Sequence, residues 1–287
     1  MSDTATQVSH GSKLRRILDR EEIVPFIGVY DVFSASIAAT HYPCLFLSGF
    51  GFAASYYGLP DIGFIAWTDM AAYVQRIRTI LPEHHLLVDM DDGYGDPSIA
   101  CHAARVMEAA GASGIILEDQ QRPRRCGHVG GKQILPLDEY LVKLERVLAG
   151  RRDNMVVVAR TDAVELDDIL TRVQAFEAAG ADIVLVDGIR DWETVKEIRS
   201  VISCPMAFNQ IAGGKSPAAT LSDLQHAGIK AVIYSTPCLF SAQSAIDNAL
   251  TGLKHADGKL PCIEDGHHGV QSCLTHLNAN LAGEHTL

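Results

Sequence analysis

AAGASGIILED, Ala109–Asp119, joins three signals in one short stretch. Two alanines close an amphipathic run, IACHAARVMEAA (99–110). Gly111 follows, where a helix C-terminus needs a left-handed residue. A short apolar strand then ends on two acids. The same join recurs as AAGADIVLVDG (178–188) and HAGIKAVIYS (226–235). A strand that is apolar at every position has both faces covered, which is the condition of a parallel sheet wrapped in helices.

Reading outward gives strands at 23–29, 43–49, 85–91, 114–119, 155–161, 182–187, 204–209 and 231–235. Helical periodicity separates nearly all of them, as in 70–81, 167–179, 192–202 and 221–227. Eight strands alternating with helices is the count for an α/β protein of the (β/α)8 barrel type. An open doubly wound sheet is the competitor, weakened because no GxGxxG turn follows the first strand. Barrel active sites lie at the C-terminal ends of the strands. Polar residues gather there: Ser48, Asp89, Asp91, Glu118, Asp119, Arg160, Asp162, Asp187, Asn209 and Ser235. Any one of them could be a helix cap, but the convergence points to a site.

The bulk numbers set limits. The 287 residues are 47% apolar and 21% charged, enough for a large core, and the net charge of −11 argues against nucleic acid or an anionic membrane as partner. A small anion is still admissible where arginines or a metal reverse the local field. The seven cysteines include no CxxC pair, so a zinc ribbon fails on spacing. MSDTATQVSHGSKLRR at the start has no apolar core of a signal peptide, and no apolar run approaches the roughly 20 residues of a membrane span. The expectation is a soluble cytoplasmic protein. His84, His85, His267 and His268 form adjacent pairs whose side chains point apart, and are expected at the surface. Trp67 and Trp192 stand at helix starts and are expected to pack.

Four stretches could carry chemistry. In VDMDDGYGDP (88–97), Asp89 and Asp91 alternate on a strand and so share a face. Paired carboxylates want a cation between them, and Mg2+ takes one or two carboxylates while keeping waters; Glu118 could join. The competing reading is a turn, with Asp92 and Asp96 as loop and cap residues. In EDQQRPRRCGHVGGK (118–132), Arg122, Arg124 and Arg125 flank Cys126, and nearby cations favour a thiolate. Cys126 is then a nucleophile, a proton carrier exchanging with His128, or a bystander. Gly127, Gly130 and Gly131 suit a loop that closes over a site. In VVVARTDA (157–163 and the residue before it), Arg160 is either a carboxylate anchor or the partner of Asp162 or Asp187. In LSGFGFAASYYGLPD (47–61), the Ser48-Gly49-Phe50 turn offers N–H groups to an anion, and Asp61 either reaches the metal shell or ends a turn.

The order SGFG…GLPD, DMDDGYG, EDQxxPxRCGH, ARTDA and N-x-x-x-GGK resembles the isocitrate lyase/phosphoenolpyruvate (PEP) mutase superfamily, over about residues 12–255. It looks closest to the 2-methylisocitrate lyases, dimethylmalate lyases and carboxyphosphonoenolpyruvate mutases. The resemblance implies a TIM barrel, commonly a homotetramer exchanging its last barrel helix. It implies Mg2+ (or Mn2+) at Asp89, with Asp61, Asp91 and Glu118 around it. The substrate would be a small anionic 2-oxo or 2-hydroxy acid on Ser48, Gly49, Phe50, Arg160, Asn209 and Asp187. Chemistry would run through an enolate, with Cys126 as the general acid of a carbon–carbon lyase, assisted by Arg124 and His128. Phosphorus–carbon mutase chemistry is the alternative, and a barrel that only binds an acid is the third. The tail, 256–287, is expected either to pack on a neighbouring subunit or to be partly disordered. Four positions depart from the family pattern: Arg124 for lysine, Asp187 for glutamate, Ala212 for an acid, and Phe46 for the tyrosine of methylisocitrate lyases.

Overall fold

The structure is a computed structural model that describes residues 8–127, 130–260 and 269–285. Eight parallel strands close into one barrel in sequence order, β1 pairing with both β2 and β8. They are β1 Val24–Val29, β2 Cys44–Leu47, β3 His85–Asp89, β4 Gly114–Glu118, β5 Val156–Thr161, β6 Ile183–Val186, β7 Met206–Gln210 and β8 Ala231–Tyr234. All eight expected strands are present. The helices that follow them include α2 Val32–Ala39, α4 Trp67–Ile80, α5 Pro97–Ala109, α6 Leu137–Gly150, α7 Leu166–Ala178, α8 Trp192–Val201, α9 Leu221–His226 and α10 Pro237–His255. A four-residue helix, α3 Gly49–Phe52, runs into a π-turn at Ala53–Tyr57 after β2. Gly111, Gly180 and Gly228, which end α5, α7 and α9, have φ of 100°, 90° and 78°. These are the left-handed positions the repeated join requires. Asp31, Asp96, Asp191 and Thr220 cap α2, α5, α8 and α9 at their N-termini.

Strand alternation divides the core into two shells. Residues facing the helices form the larger one, with Leu45, Leu86, Ile115, Val157, Val184 and Phe208 against the inner faces of α2 to α8. Residues facing the barrel axis form the smaller one: Phe26, Phe46, Leu87, Ile116, Val158, Leu185, Ala207 and Ile233. A helix before the first strand, α1 His10–Arg20, adds Leu14 and Leu18 to this inner shell and packs on β3 and β5, so it closes the foot of the barrel. A strand places every second side chain on the same face. Two residues beyond Phe46, Leu87, Ile116, Val158, Leu185, Ala207 and Ile233 therefore stand Ser48, Asp89, Glu118, Arg160, Asp187, Asn209 and Ser235. The apolar floor turns into a polar mouth within one step of each strand.

Two expectations need correcting. β3 ends at Asp89, and Asp91 lies beyond it with φ of 49°, so the two acids do not alternate on a strand. They meet because the turn folds Asp91 back. His84 and His85 are buried, not exposed, since His85 opens β3 at the barrel foot and His84 just before it meets the Ala39 carbonyl at 3.2 Å; His267 and His268 lie outside the described residues. The tail forms a helix of its own, α11 Val270–Ala282. Its His276 meets Ser36 Oγ at 2.7 Å and the edge of the Phe33 ring, so it touches α2 of the same chain. Trp67 and Trp192 pack as expected, against His102 and Phe208. No described helix is long and apolar enough to cross a membrane.

Candidate active site

The polar mouth is a continuous chain of paired groups. Ser235 Oγ donates to Asn209 Oδ1 at 2.7 Å, and Asn209 Nδ2 donates to Asp187 Oδ1 at 2.8 Å. Arg160 Nη2 lies 2.9 Å from Asp187 Oδ2, and its Nη1 lies 3.3 Å from Glu118 Oε2. Arg160 also pairs with Asp162 at 3.0 Å. Arg124 continues the chain. Its Nε donates to Glu118 Oε1 at 2.7 Å, its Nη1 and Nη2 donate to Asp61, and Nη1 lies 3.1 Å from Asp91 Oδ1. Both arginines are buried, Arg124 to 1% exposure. Burial works against their charge, and the surrounding carboxylates outweigh it, so both stay firmly protonated.

Asp61, Asp89, Asp91 and Glu118 are all buried within this cluster. Burial pushes the carboxyls of Asp89 and Asp91 up from their ordinary value, and that of Glu118 up to about 7, despite the pull of Arg124. There is more negative charge than the two guanidiniums answer. Asp91 has no hydrogen-bond partner at either oxygen among the described residues, and neither has Glu118 Oε2. A Cβ at Gly49 would lie 2.9 Å from Asp89 Oδ2 and 3.3 Å from Asp91 Oδ1, so the absent side chain leaves both carboxylates open. These features fit a hard divalent cation. No three Asp, Glu, His or Cys side chains among the described residues converge to hold an ion by themselves. A hard ion that keeps several of its waters needs only one or two protein carboxylates.

The Ser48 turn is partly spent internally. Ser48 caps α3, accepting from Gly51 N at 3.1 Å, while Gly49 N donates to Asp89 Oδ2 at 3.3 Å. Phe50 turns toward the mouth and meets the edge of Phe240. A cavity of about 30 Å³, room for roughly a water or two, lies among Ser48, Phe50, Asp89, Cys126, Arg160 and Asn209. Phe46 and Asp187, two of the positions that depart from the family pattern, line it as well. Ala212 is exposed.

Cys126 reaches this wall, half-buried, and the backbone from Arg125 to Gly127 is held at each residue. Gln120 brackets Arg125, accepting from its N–H and donating to its carbonyl, both at 2.8 Å. Cys126 N donates to the Asp61 carbonyl at 3.2 Å. The Gly127 carbonyl accepts from Lys132 at 2.6 Å and Lys215 at 3.1 Å. Arg122 pairs with Asp92 through two bonds of 2.8 Å, and Arg124 points into the carboxylates. His128 lies outside the described residues. Gln120, Lys132 and Lys215 are contributors that sequence reasoning missed. Both lysines close a Gly-Gly-Lys triplet, at 130–132 and 213–215, a repeat that could have paired them.

Comparison with known proteins bears on this site. Residues 14–254 match the family model described as phosphoenolpyruvate phosphomutase. The chain is 32% identical to a chloroplastic carboxyvinyl-carboxyphosphonate phosphorylmutase of Arabidopsis thaliana, over 85% of this chain and 74% of that one. It is 30% identical to a 2,3-dimethylmalate lyase of Eubacterium barkeri, over 86% of each. A crystal structure of a 2,3-dimethylmalate lyase superposes with a TM-score of 0.89 at 27% identity, covering 96% of this chain and 94% of that one. An oxaloacetate acetylhydrolase bound to 3,3-difluorooxalacetate superposes at 0.88 with 29% identity and the same coverage.

Proposed function

The chain belongs to the phosphoenolpyruvate phosphomutase family, an enzyme of the PEP mutase/isocitrate lyase superfamily with a lyase or mutase role, and from that premise we propose that it is a divalent-metal-dependent carbon–carbon lyase. Its substrate is a small 2-hydroxy dicarboxylate of the substituted malate or methylisocitrate kind. The observation that carries this reading is Cys126 on the wall of a cavity that it shares with Asp61, Asp89, Asp187, Arg160 and Asn209. A thiol there is a proton source that a purely anion-binding pocket has no need of.

Asp61, Asp89, Asp91 and Glu118 are the residues that would hold Mg2+ or Mn2+. The bound ion would supply positive charge where the oxygen of the 2-oxo product becomes negative. The rest is done by side chains. Arg160 and Asn209 hold and orient a substrate carboxylate, with Asp187 fixing both of them through bonds of 2.9 and 2.8 Å. A carboxylate of the wall takes the proton of the 2-hydroxyl. The C2–C3 bond breaks, its electron pair goes to C3, and Cys126 Sγ delivers its proton to C3. A 2-oxo acid and a shortened carboxylic acid result, and the two protein groups regain their starting states by passing one proton back.

The second reading is P–C bond chemistry, favoured by the phosphorylmutase relative and the family's description. One NMR experiment separates them. The protein with Mg2+ is given substituted malates and methylisocitrate in one set, and phosphonopyruvate and PEP in another. Proton spectra showing a 2-oxo acid released from a hydroxydiacid support the lyase. A changed phosphorus resonance moves the protein to the mutase reading and removes the acid role of Cys126.

The barrel at 12–255 works, in this reading, as part of a homo-oligomer. α10 runs for 19 residues with none buried, and Ile246 and Leu250 are exposed. A helix with that apolar content is supported by a partner, through exchange between neighbouring subunits, with the 256–287 tail beside it.

A further inference from the structure

Arg124 stands where the carboxylates converge. It meets Asp61 and Glu118 through hydrogen bonds and Asp91 through charge. The position is built for an arginine. Gly63 has φ of 82°, and a Cβ there would fall 2.5 Å from Arg124 Cγ, so the bare glycine is the channel for the arginine stem. With the side chain in place, the adjoining cavity is only about 30 Å³.

The guanidinium is nonetheless an incomplete counter-ion. Its N–H groups point in fixed directions in one plane, and they leave Asp91 without a hydrogen bond and Glu118 Oε2 likewise. A hydrated divalent ion has no such directional limit and carries twice the charge. Two cations crowded into one buried cluster repel each other strongly. We propose that Arg124 is the resident counter-ion of this cluster and that a divalent cation binds in competition with its guanidinium. The inference rests on the reading above that the cluster takes a divalent ion. It adds that metal entry requires Arg124 to withdraw. Cys126, two residues on and bonded through its N–H to the carbonyl of Asp61, moves with that step.

The test compares Mn2+ binding, followed by the electron paramagnetic resonance of free Mn2+, in the wild type and in Arg124→Gln and Arg124→Lys. Melting is measured with and without the ion. Arg124→Gln should bind Mn2+ tighter by about tenfold or more. It should melt below the wild type without metal and gain more from Mn2+ than the wild type gains. Arg124→Lys keeps a charge with fewer donors; it should shift affinity the same way by less, and it carries the comparison if the glutamine variant does not fold. In the wild type, Mn2+ should also change the rate at which Cys126 reacts with a thiol reagent; in Arg124→Gln that coupling should vanish. Equal or weaker Mn2+ binding in both variants overturns the competition while leaving the metal site standing. No Mn2+ binding by any of the three proteins overturns the metal reading itself, and the competition with it.

Discussion

A methyl group at Gly127 would lie 1.6 Å from Asp187 Oδ2 and 2.5 Å from Arg160 Nη2, so the loop can cross this ion pair only as backbone. Gly127→Ala should push Cys126 off its position and lower kcat by about a hundredfold, a loss typical of ångström-scale misplacement, with the far-ultraviolet circular dichroism unchanged. Cys126→Ser should lower turnover by about 10²- to 10⁴-fold while Mn2+ binding and melting stay near the wild type; unchanged turnover would make the thiol a bystander. Cys126 was legible in the sequence because a cysteine in a glycine-rich polar loop breaks the usual apolar setting. The destination of Arg124 was not. The distance from Arg124 to Asp61 is 63 residues along the chain, and no local pattern records which way a side chain turns. Gln120 and Lys215 were missed because their work is to hold backbone groups, Gln120 at Arg125 in its own loop and Lys215 at Gly127 in a distant segment, which no side-chain pattern records.

At the scale of the element, β3 carries a titration at one end and the site at the other. Burial, aided by Arg78, pushes the His85 imidazole down to about 4 from 6.5. The folded protein therefore excludes a proton that the unfolded chain binds between those values. Stability is fully present above about pH 6.5 and declines as pH falls toward 4. His85→Gln should flatten that limb of a plot of Tm against pH, by the equivalent of up to about 3 kcal/mol. An unchanged slope would place the acid sensitivity elsewhere. The strands themselves were readable because each is apolar throughout, and the helices because their periodicity ends in a glycine. The strand ends were less so. An acid such as Asp91 reads equally as a strand residue or a turn, and only its positive φ, set by the fold around it, decides.

For the whole molecule, the closed eight-strand order was anticipated by counting, since helices between successive strands leave few other arrangements. The surface of α10 was not decided by the chain alone, because Ile246 and Leu250 stay exposed among the described residues. A hollow of about 430 Å³ lined by Ile37, Tyr42, Tyr234 and Cys238 opens between α2 and the start of α10. Light scattering should give a mass that is a multiple of the single chain, and Leu250→Glu should shift it toward smaller species. Leu250 is 61% exposed in one chain, so the substitution costs an isolated subunit about 0.5 kcal/mol or less. A monomeric wild type would remove the exchange.

The helix that closes the barrel foot imposes a traffic rule. Leu14 and Leu18 stopper one end, so everything enters and leaves by the other. A molecule cut in two inside a vessel with a single opening must be emptied from the top down. On the lyase reading proposed above, release is then sequential, and the fragment seated deeper departs last. Product-inhibition kinetics should show it: the deeper fragment competes with substrate for the empty enzyme, and the outer one inhibits noncompetitively.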